Sequence, residues 1–255
     1  MSNPVFFTPA GSLDQQVPGA TFVLEGAEAR HAVTVKRLAV GEAVDIADGA
    51  GKRITGTVTA AAPQELTVEC SEVSTEPRPD VRLVLVQALA KGDRDELAAE
   101  TATELGIDAV VPWQAERSIV RWKPERAAKA HAKWQSVVAA AAKQARRAWI
   151  PEVRPAVDGN GLQAAAAAAD LAVILHEDAV RPLRQVLEAW HREAADGVPR
   201  EVLLIVGPEG GISPREVTRL CDAGAVTALL GHHVLRSSTA GPAATVLASD
   251  ILGRW

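Results

Sequence analysis

The stretch Leu203-Leu204-Ile205-Val206-Gly207-Pro208-Glu209-Gly210-Gly211-Ile212-Ser213-Pro214-Arg215-Glu216 decides the fold class. Its first four residues form a short apolar run, the pattern of a strand buried on both faces. A Gly-rich loop follows. Ser213 then takes the position of an N-cap, Pro214 the first helical site, and Glu216 completes a capping box. A buried strand running through a loop into a well-specified helix is the unit of an α/β sheet. Gly207, Gly210 and Gly211 let the backbone approach a ligand at the carboxyl end of that strand, where open α/β sheets bind ligands. There is no Gly-Lys-Ser/Thr and the spacing is not GxGxxG, so neither a phosphate-cradling loop nor a dinucleotide fingerprint is present. On this loop alone, a ligand site and a plain tight turn are equally compatible.

The same alternation extends outward. Val81 to Leu89 is a continuous apolar strand interrupted by Arg82 and Gln87, and Asp93 to Leu105 is a helix closed by Gly106. Ala109-Val110-Val111 is the next strand. Pro124 opens a helix reaching about Ala148, in which Trp134, Val137, Val138, Ala141 and Ala145 share one face. Strands over Leu171–Leu175, Val202–Val206 and Val226–Leu230 each lead to a helix, which predicts a largely parallel sheet. The alanine run 164–169 reads as plain helix.

Upstream, the signals change. Thr21–Leu24, Ala43–Ile46, Arg53–Val58 and Glu65–Val68 are short β-type runs, and Asp48-Gly49-Ala50-Gly51 suits a hairpin turn. One helical stretch, around Glu28 to Leu38, interrupts them. This pattern predicts a small antiparallel barrel over residues 1–74. Ser74 to Asp80, with Pro77 and Pro79, has linker chemistry, and residues 75–255 form the α/β domain. A length of 255 residues accommodates both.

Hydrophobic residues at 47% and charged residues at 23% exclude a disordered or disulfide-scaffold protein. Cys70 and Cys221 lack paired spacing, which fits a reducing compartment. No apolar run is long enough for a membrane helix and the start lacks a signal peptide's pattern, so a soluble cytoplasmic protein is expected. The net charge of −5 argues against a polyanionic partner. Its distribution argues the reverse. Between Pro112 and Pro155 ten basic residues face three acids, a local charge of +7 that leaves −12 on the remainder. Such asymmetry points to nucleic acid, against the plainer reading of a solvated basic helix face.

Two further loops sit after strands. Leu230-Gly231-His232-His233-Val234-Leu235-Arg236-Ser237-Ser238-Thr239 places a fixed cation and hydroxyls at the start of the last helix. Val234 and Leu235 are too apolar for a free loop and are expected to pack inward. His232 and His233 have no carboxylate or thiol partner in reach, so no metal is expected. Leu175-His176-Glu177-Asp178 is the third loop; His176 is a general base or, more simply, a hydrogen-bonded structural histidine.

Taken together, IVGPEGGIS over 205–213 and LLGHHVLRSSTA over 229–240 resemble the RsmE family of 16S ribosomal RNA uridine-N3 methyltransferases, of the SPOUT superfamily. Lys91 with Glu104-Leu105-Gly106, Pro112 with Glu116-Arg117-Ser118, and Gln144 with Arg147 and Pro151 also match, as do His31, Arg37 and Asp48-Gly49. The resemblance implies an N-terminal PUA-like β-barrel that binds RNA. It also implies a SPOUT-type parallel sheet with a C-terminal trefoil knot, S-adenosyl-L-methionine as cofactor, and a homodimer acting on the small ribosomal subunit. Carried over by position, the cofactor residues are Leu175, His176, Ile205, Gly207, Glu209, Gly210, Leu230, Gly231, Val234, Leu235 and Thr239. Arg236 is the catalytic candidate, as a cation that stabilises the uridine anion. Arg30, Arg37, Lys91, Arg117 and Arg147 are the RNA-binding candidates. The family commonly has Glu where this chain has Ser238, so a carboxylate base is not inherited. The competing readings are a SPOUT enzyme with another RNA target and a non-catalytic RNA-binding dimer. A nicotinamide oxidoreductase is disfavoured by the missing fingerprint.

Overall fold

The computed structural model describes residues 3–193 and 198–255. The chain forms two compact units: residues up to Arg78 with Ala142–Ile150, and Pro79–Ala141 with Pro151–Trp255.

The first unit holds β1 (Val5–Phe7), β2 (Thr21–Glu25), β3 (Ala43–Ala47), β4 (Lys52–Ala62) and β5 (Glu65–Thr75) in one sheet of order β1-β3-β4-β5-β2. The expected antiparallel barrel is thus a mixed sheet, because β1 joins β3 in parallel and carries no sequence signal at three residues. Register shifts at Thr55/Gly56 and Val58/Ala60 bend the long β4·β5 ladder. Alternating Phe22 and Leu24, and Leu66, Val68 and Cys70, fill the interior with Phe6, Ile46 and Ile54. The linker begins later than its composition implies: Ser74 and Thr75 still pair with Arg53 and Lys52. The predicted helix splits into α1 (Gly26–Arg30) and a π turn over His31–Val35, with Arg37 left-handed at φ 58°.

The Asp48 carboxylate shapes the turn after β3, accepting from Ala50 N at 2.8 Å and Lys52 N at 3.0 Å. Ile150 and Trp149 pack onto this turn. Gly51 sits at φ 98° so close to the Trp149 ring that a Cβ there would lie 2.5 Å from its Cε2. Trp149 also donates from Nε1 to Glu76 O at 2.8 Å and lies under the Arg78 guanidinium.

The second unit is an all-parallel six-stranded sheet of order β11-β9-β10-β6-β7-β8. Its strands are β6 (Val81–Ala88), β7 (Ala109–Trp113), β8 (Glu152–Val153), β9 (Leu171–Leu175), β10 (Arg200–Val206) and β11 (Val226–Ala228). Its helices are α2 (Arg94–Glu104), α4 (Gly159–Ala168), α5 (Leu183–Arg192), α6 (Pro214–Asp222) and α7 (Ser237–Ile251). Helix α3 (Pro124–Gln144) runs from this unit into the first. It ends earlier than its apolar pattern, because Arg146 turns left-handed at φ 56°. Trp134, Val138 and Ala141 of the predicted face are buried. Strand β11 stops at Ala228, since Leu229 exchanges hydrogen bonds with Arg181 and Leu183 instead.

Strand β6 alternates between two cores. Val84, Val86 and Ala88 join Leu203, Ile205, Leu162 and Leu220 under α4 and α6. Leu85 faces α7, and Gly241 makes that approach possible: a Cβ there would lie 2.8 Å from Leu85 Cδ1.

Candidate functional site

The sheet order brings the three loops together. Strands β11, β9 and β10 are neighbours, so the loops after Ala228, Leu175 and Val206 emerge side by side at the carboxyl end of the sheet. The loop after β6 comes next, and the chain's change of direction between β6 and β10 makes this the switch point where such sheets bind ligands.

The loop after β10 is fixed from both flanks. On one side the Glu209 carboxylate accepts from Lys91 N at 3.2 Å and from Arg94 Nη1 at 3.1 Å. On the other, Arg117 Nη1 donates to Gly210 O at 3.1 Å. The capping box forms as read: Ser213 Oγ accepts from Glu216 N at 3.1 Å, and Glu216 accepts from Ser213 N at 3.1 Å. The second Glu216 oxygen accepts from Glu116 N at 2.8 Å, and Ser213 Oγ donates to Glu116 at 2.7 Å. The last two of these four hydrogen bonds lock the loop after β7 to the loop after β10.

His176 N donates to Ala228 O at 3.0 Å, and its Nδ1 accepts from Asp178 N at 3.2 Å. The ring is therefore engaged within its own loop. Leu175 and Leu230 are half-buried, Gly231 is exposed with open space beside it, and Thr239 is exposed in the first turn of α7. The Ile205 side chain lies in the core under α4 and α6, so only its backbone belongs to the loop region. The inward packing expected of Val234 and Leu235 is wrong: they are 78% and 38% exposed, and Val180 on the loop after β9 is 92% exposed. Leu235 is partly covered while Val234 and Val180 stay largely open, and apolar character alone does not specify a cover. Arg236 is the exposed N-cap of α7, next to the buried Ser237, and its side chain makes no cap hydrogen bond.

Two residues that the sequence reading did not assign stand at this end of the sheet. Gln87 is wholly buried, and its Nε2 donates to Ser237 Oγ at 2.8 Å; Ser237 Oγ in turn donates to Gly207 O at 3.0 Å. The signal was the polar interruption of an apolar strand.

The RNA-binding candidates divide between the units. Lys91 and Arg117 flank the loop after β10, whereas Arg30, Arg37 and Arg147 belong to the first unit. Three cations of the basic segment are in ion pairs with acids outside it: Lys133 with Glu96 at 2.7 Å, Lys143 with Glu28 at 2.5 Å, and Arg154 with Glu201 at 2.5 Å. The Arg154 hydrogen bond holds the Glu201 carboxyl below its usual range. Burial pushes Asp95, at the start of α2, above its own. Among the described residues no group of three or more His, Cys, Asp or Glu could hold a metal ion, and no helix is long and apolar enough to cross a membrane.

The family described as RNA methyltransferase domain matches residues 76–249, and that described as RNA methyltransferase PUA domain matches residues 24–69. The chain is 38% identical to the ribosomal RNA small subunit methyltransferase E of Mycobacterium bovis, over 93% of this chain and 89% of the relative. It is 28% identical to the Bacillus subtilis protein of the same name, over 89% of each. A Neisseria gonorrhoeae ribosomal RNA small subunit methyltransferase E, solved bound to S-adenosyl methionine, superposes with a TM-score of 0.79 at 26% identity, covering 98% of both chains. Two domain matches over two compact units, and a relative this similar along nearly its whole length, settle the kinship: the chain belongs to the ribosomal RNA small subunit methyltransferase E family.

Proposed function

We propose that this chain transfers the methyl group of S-adenosyl-L-methionine to N3 of a uridine in 16S ribosomal RNA of the small subunit. The observation that carries the reading is the juxtaposition of the loops after β9, β10 and β11 at the carboxyl end of one sheet, in a member of this family. The residues present suit the cofactor. Half-buried Leu175 and Leu230 offer apolar surface, Gly231 leaves open space, and loop backbone supplies hydrogen-bond donors and acceptors. An adenine and a methionine chain need those, and no phosphate clamp. When bound, the cofactor supplies an electrophilic methyl on a sulfonium.

The chain's own part is positioning and charge. Uridine N3 must give up its weakly acidic proton to solvent water before its lone pair can attack. Arg236 and the positive end of α7 would face the resulting anion with a fixed cation and a helix dipole. Gly207, Glu209, Gly210, Val234, Leu235 and Thr239 complete the cofactor loops in this reading, and His176 holds its loop rather than moving a proton. Lys91 and Arg117 take RNA phosphates beside the site, while Arg30, Arg37 and Arg147 do so on the PUA-like unit.

A SPOUT-type trefoil knot is part of the reading. Its support is that the chain leaves β11 at one sheet edge and returns as α7 against β6 and β10. A homodimer is supported by the exposed Val180, Val234 and Leu235 on the cofactor loops, apolar surface that a second subunit would cover. A cytoplasmic enzyme is part of the same reading, and ribosomal RNA as substrate supports it.

The test is transfer of labelled methyl from S-adenosyl-L-methionine to small subunits from cells lacking the modification. Primer extension then maps the product, because N3 methylation blocks the Watson–Crick edge. Label at one uridine of 16S RNA is expected; no transfer, or label elsewhere, overturns the assignment.

A further inference from the structure

We infer that Gln87 is a positioning residue of the cofactor site, acting through Ser237 on the Gly207 carbonyl; this rests on the function proposed above. Gln87 is the last but one residue of β6 and has no exposed surface. Its Nε2 donates to Ala88 O at 3.2 Å and to Ser237 Oγ at 2.8 Å, and Ser237 Oγ donates to Gly207 O at 3.0 Å. One side-chain amide thus ties the end of β6 to the first residue of α7 and, through it, to the start of the loop after β10.

The direction of this chain is determined. A carbonyl oxygen such as Ala88 O can only accept, so the amide nitrogen must face it. The Ser237 hydroxyl then accepts from Gln87 and has its single proton left for Gly207. Both ends matter to the proposed chemistry. Gly207 opens the cofactor loop, and Ser237 directly follows Arg236, so the chain sets a carbonyl in one and the helix start that carries the cation in the other.

The cost shows on the opposite side of the amide. Gln87 Oε1 is buried and has no hydrogen-bond partner. An orphaned buried acceptor destabilises the fold, and an apolar side chain of equal length would avoid it. A polar group that is unfavourable for stability on one side is explained by what its other side holds in place.

This separates positioning from mere packing, because the two predict opposite signs. In Gln87→Met the amide is removed at nearly constant length. We expect the dissociation constant for S-adenosyl-L-methionine, measured by calorimetry, to rise about 5- to 10-fold, the worth of one neutral hydrogen bond. The thermal midpoint without cofactor should hold or rise. Ser237→Ala should raise the constant comparably. The double variant should then be no worse than the weaker single variant, since both break one chain. Affinity within twofold of wild type in Gln87→Met, a lowered midpoint in it, or multiplying effects in the double variant would each overturn the inference. Wild-type protein that binds no cofactor would overturn the reading of the site itself. Wild-type binding with Gln87→Met unchanged overturns the positioning role alone.

Discussion

Replacing Glu216 by Gln removes one charge and exchanges one oxygen for an amide, at a position 3% exposed. Both Glu216 oxygens are in use, one accepting from Glu116 N at 2.8 Å and the other from Ser213 N at 3.1 Å. The new NH2 must face one of these N–H groups, donor against donor. A backbone donor is then left buried and unpaired, at about 1–3 kcal/mol, and the first turn of α6 loses a favourable negative charge worth roughly 0.3–1 kcal/mol. The expected loss is about 1–4 kcal/mol. For a unit of this size that lowers the melting temperature by on the order of 10 °C, read by scanning calorimetry. Ser213→Ala strikes the same network through the Glu216 N and Glu116 bonds, so the pair should be less than additive. A Glu216→Gln loss below about 0.5 kcal/mol, or strict additivity with Ser213→Ala, would refute the view that this carboxylate locks two loops together.

Arg236→Ala should reduce methyl transfer by roughly 10²–10³-fold, the cost of losing a preorganised charge, with the melting temperature unchanged because the exposed side chain caps nothing. RNA binding should weaken linearly on a log–log salt plot. Arg37→Gln should lower its slope by about 0.7–0.9, whereas Lys133→Gln, whose cation already meets Glu96, should leave it alone. The pH dependence of stability tests Asp95 and Glu201 with opposite signs. Burial raises Asp95 above its unfolded value, so the folded state takes up that proton first and gains stability as pH falls toward about 4. The Arg154 hydrogen bond lowers Glu201, whose contribution is present above the unfolded carboxylate range and lost as pH falls through its depressed folded value. Urea midpoints across this range should show Asp95→Asn lacking the acid-side gain; identical profiles for variant and wild type would contradict it.

Much of the second unit was legible because its signals are local. Ser213, Pro214 and Glu216 specify a helix start from four consecutive positions, and the capping box forms as they dictate. The runs ending at Leu175 and Val206 are strands for the same reason. What brings their loops together is the sheet order, which follows from long-range pairing that no window of sequence contains. Strands β1 and β8, at three and two residues, exist only because β3 and β7 offer ladders. Val234 and Leu235 misled because hydrophobicity reports a need for cover without naming the cover. Gln87 was visible as an irregularity, yet its partner lies 150 residues away.

The passage of Ala142–Ile150 into the first unit means the chain crosses between the two units three times, not once. The first unit is therefore not a bead that can be cut free at Pro77–Pro79. A fragment ending there would present the Asp48–Gly51 turn with nothing over Gly51, where Trp149 belongs. The two units are interleaved in the gene although separate in their cores. A unit held this way cannot be exchanged by simple fusion; a swap has to carry nine residues from the middle of its neighbour.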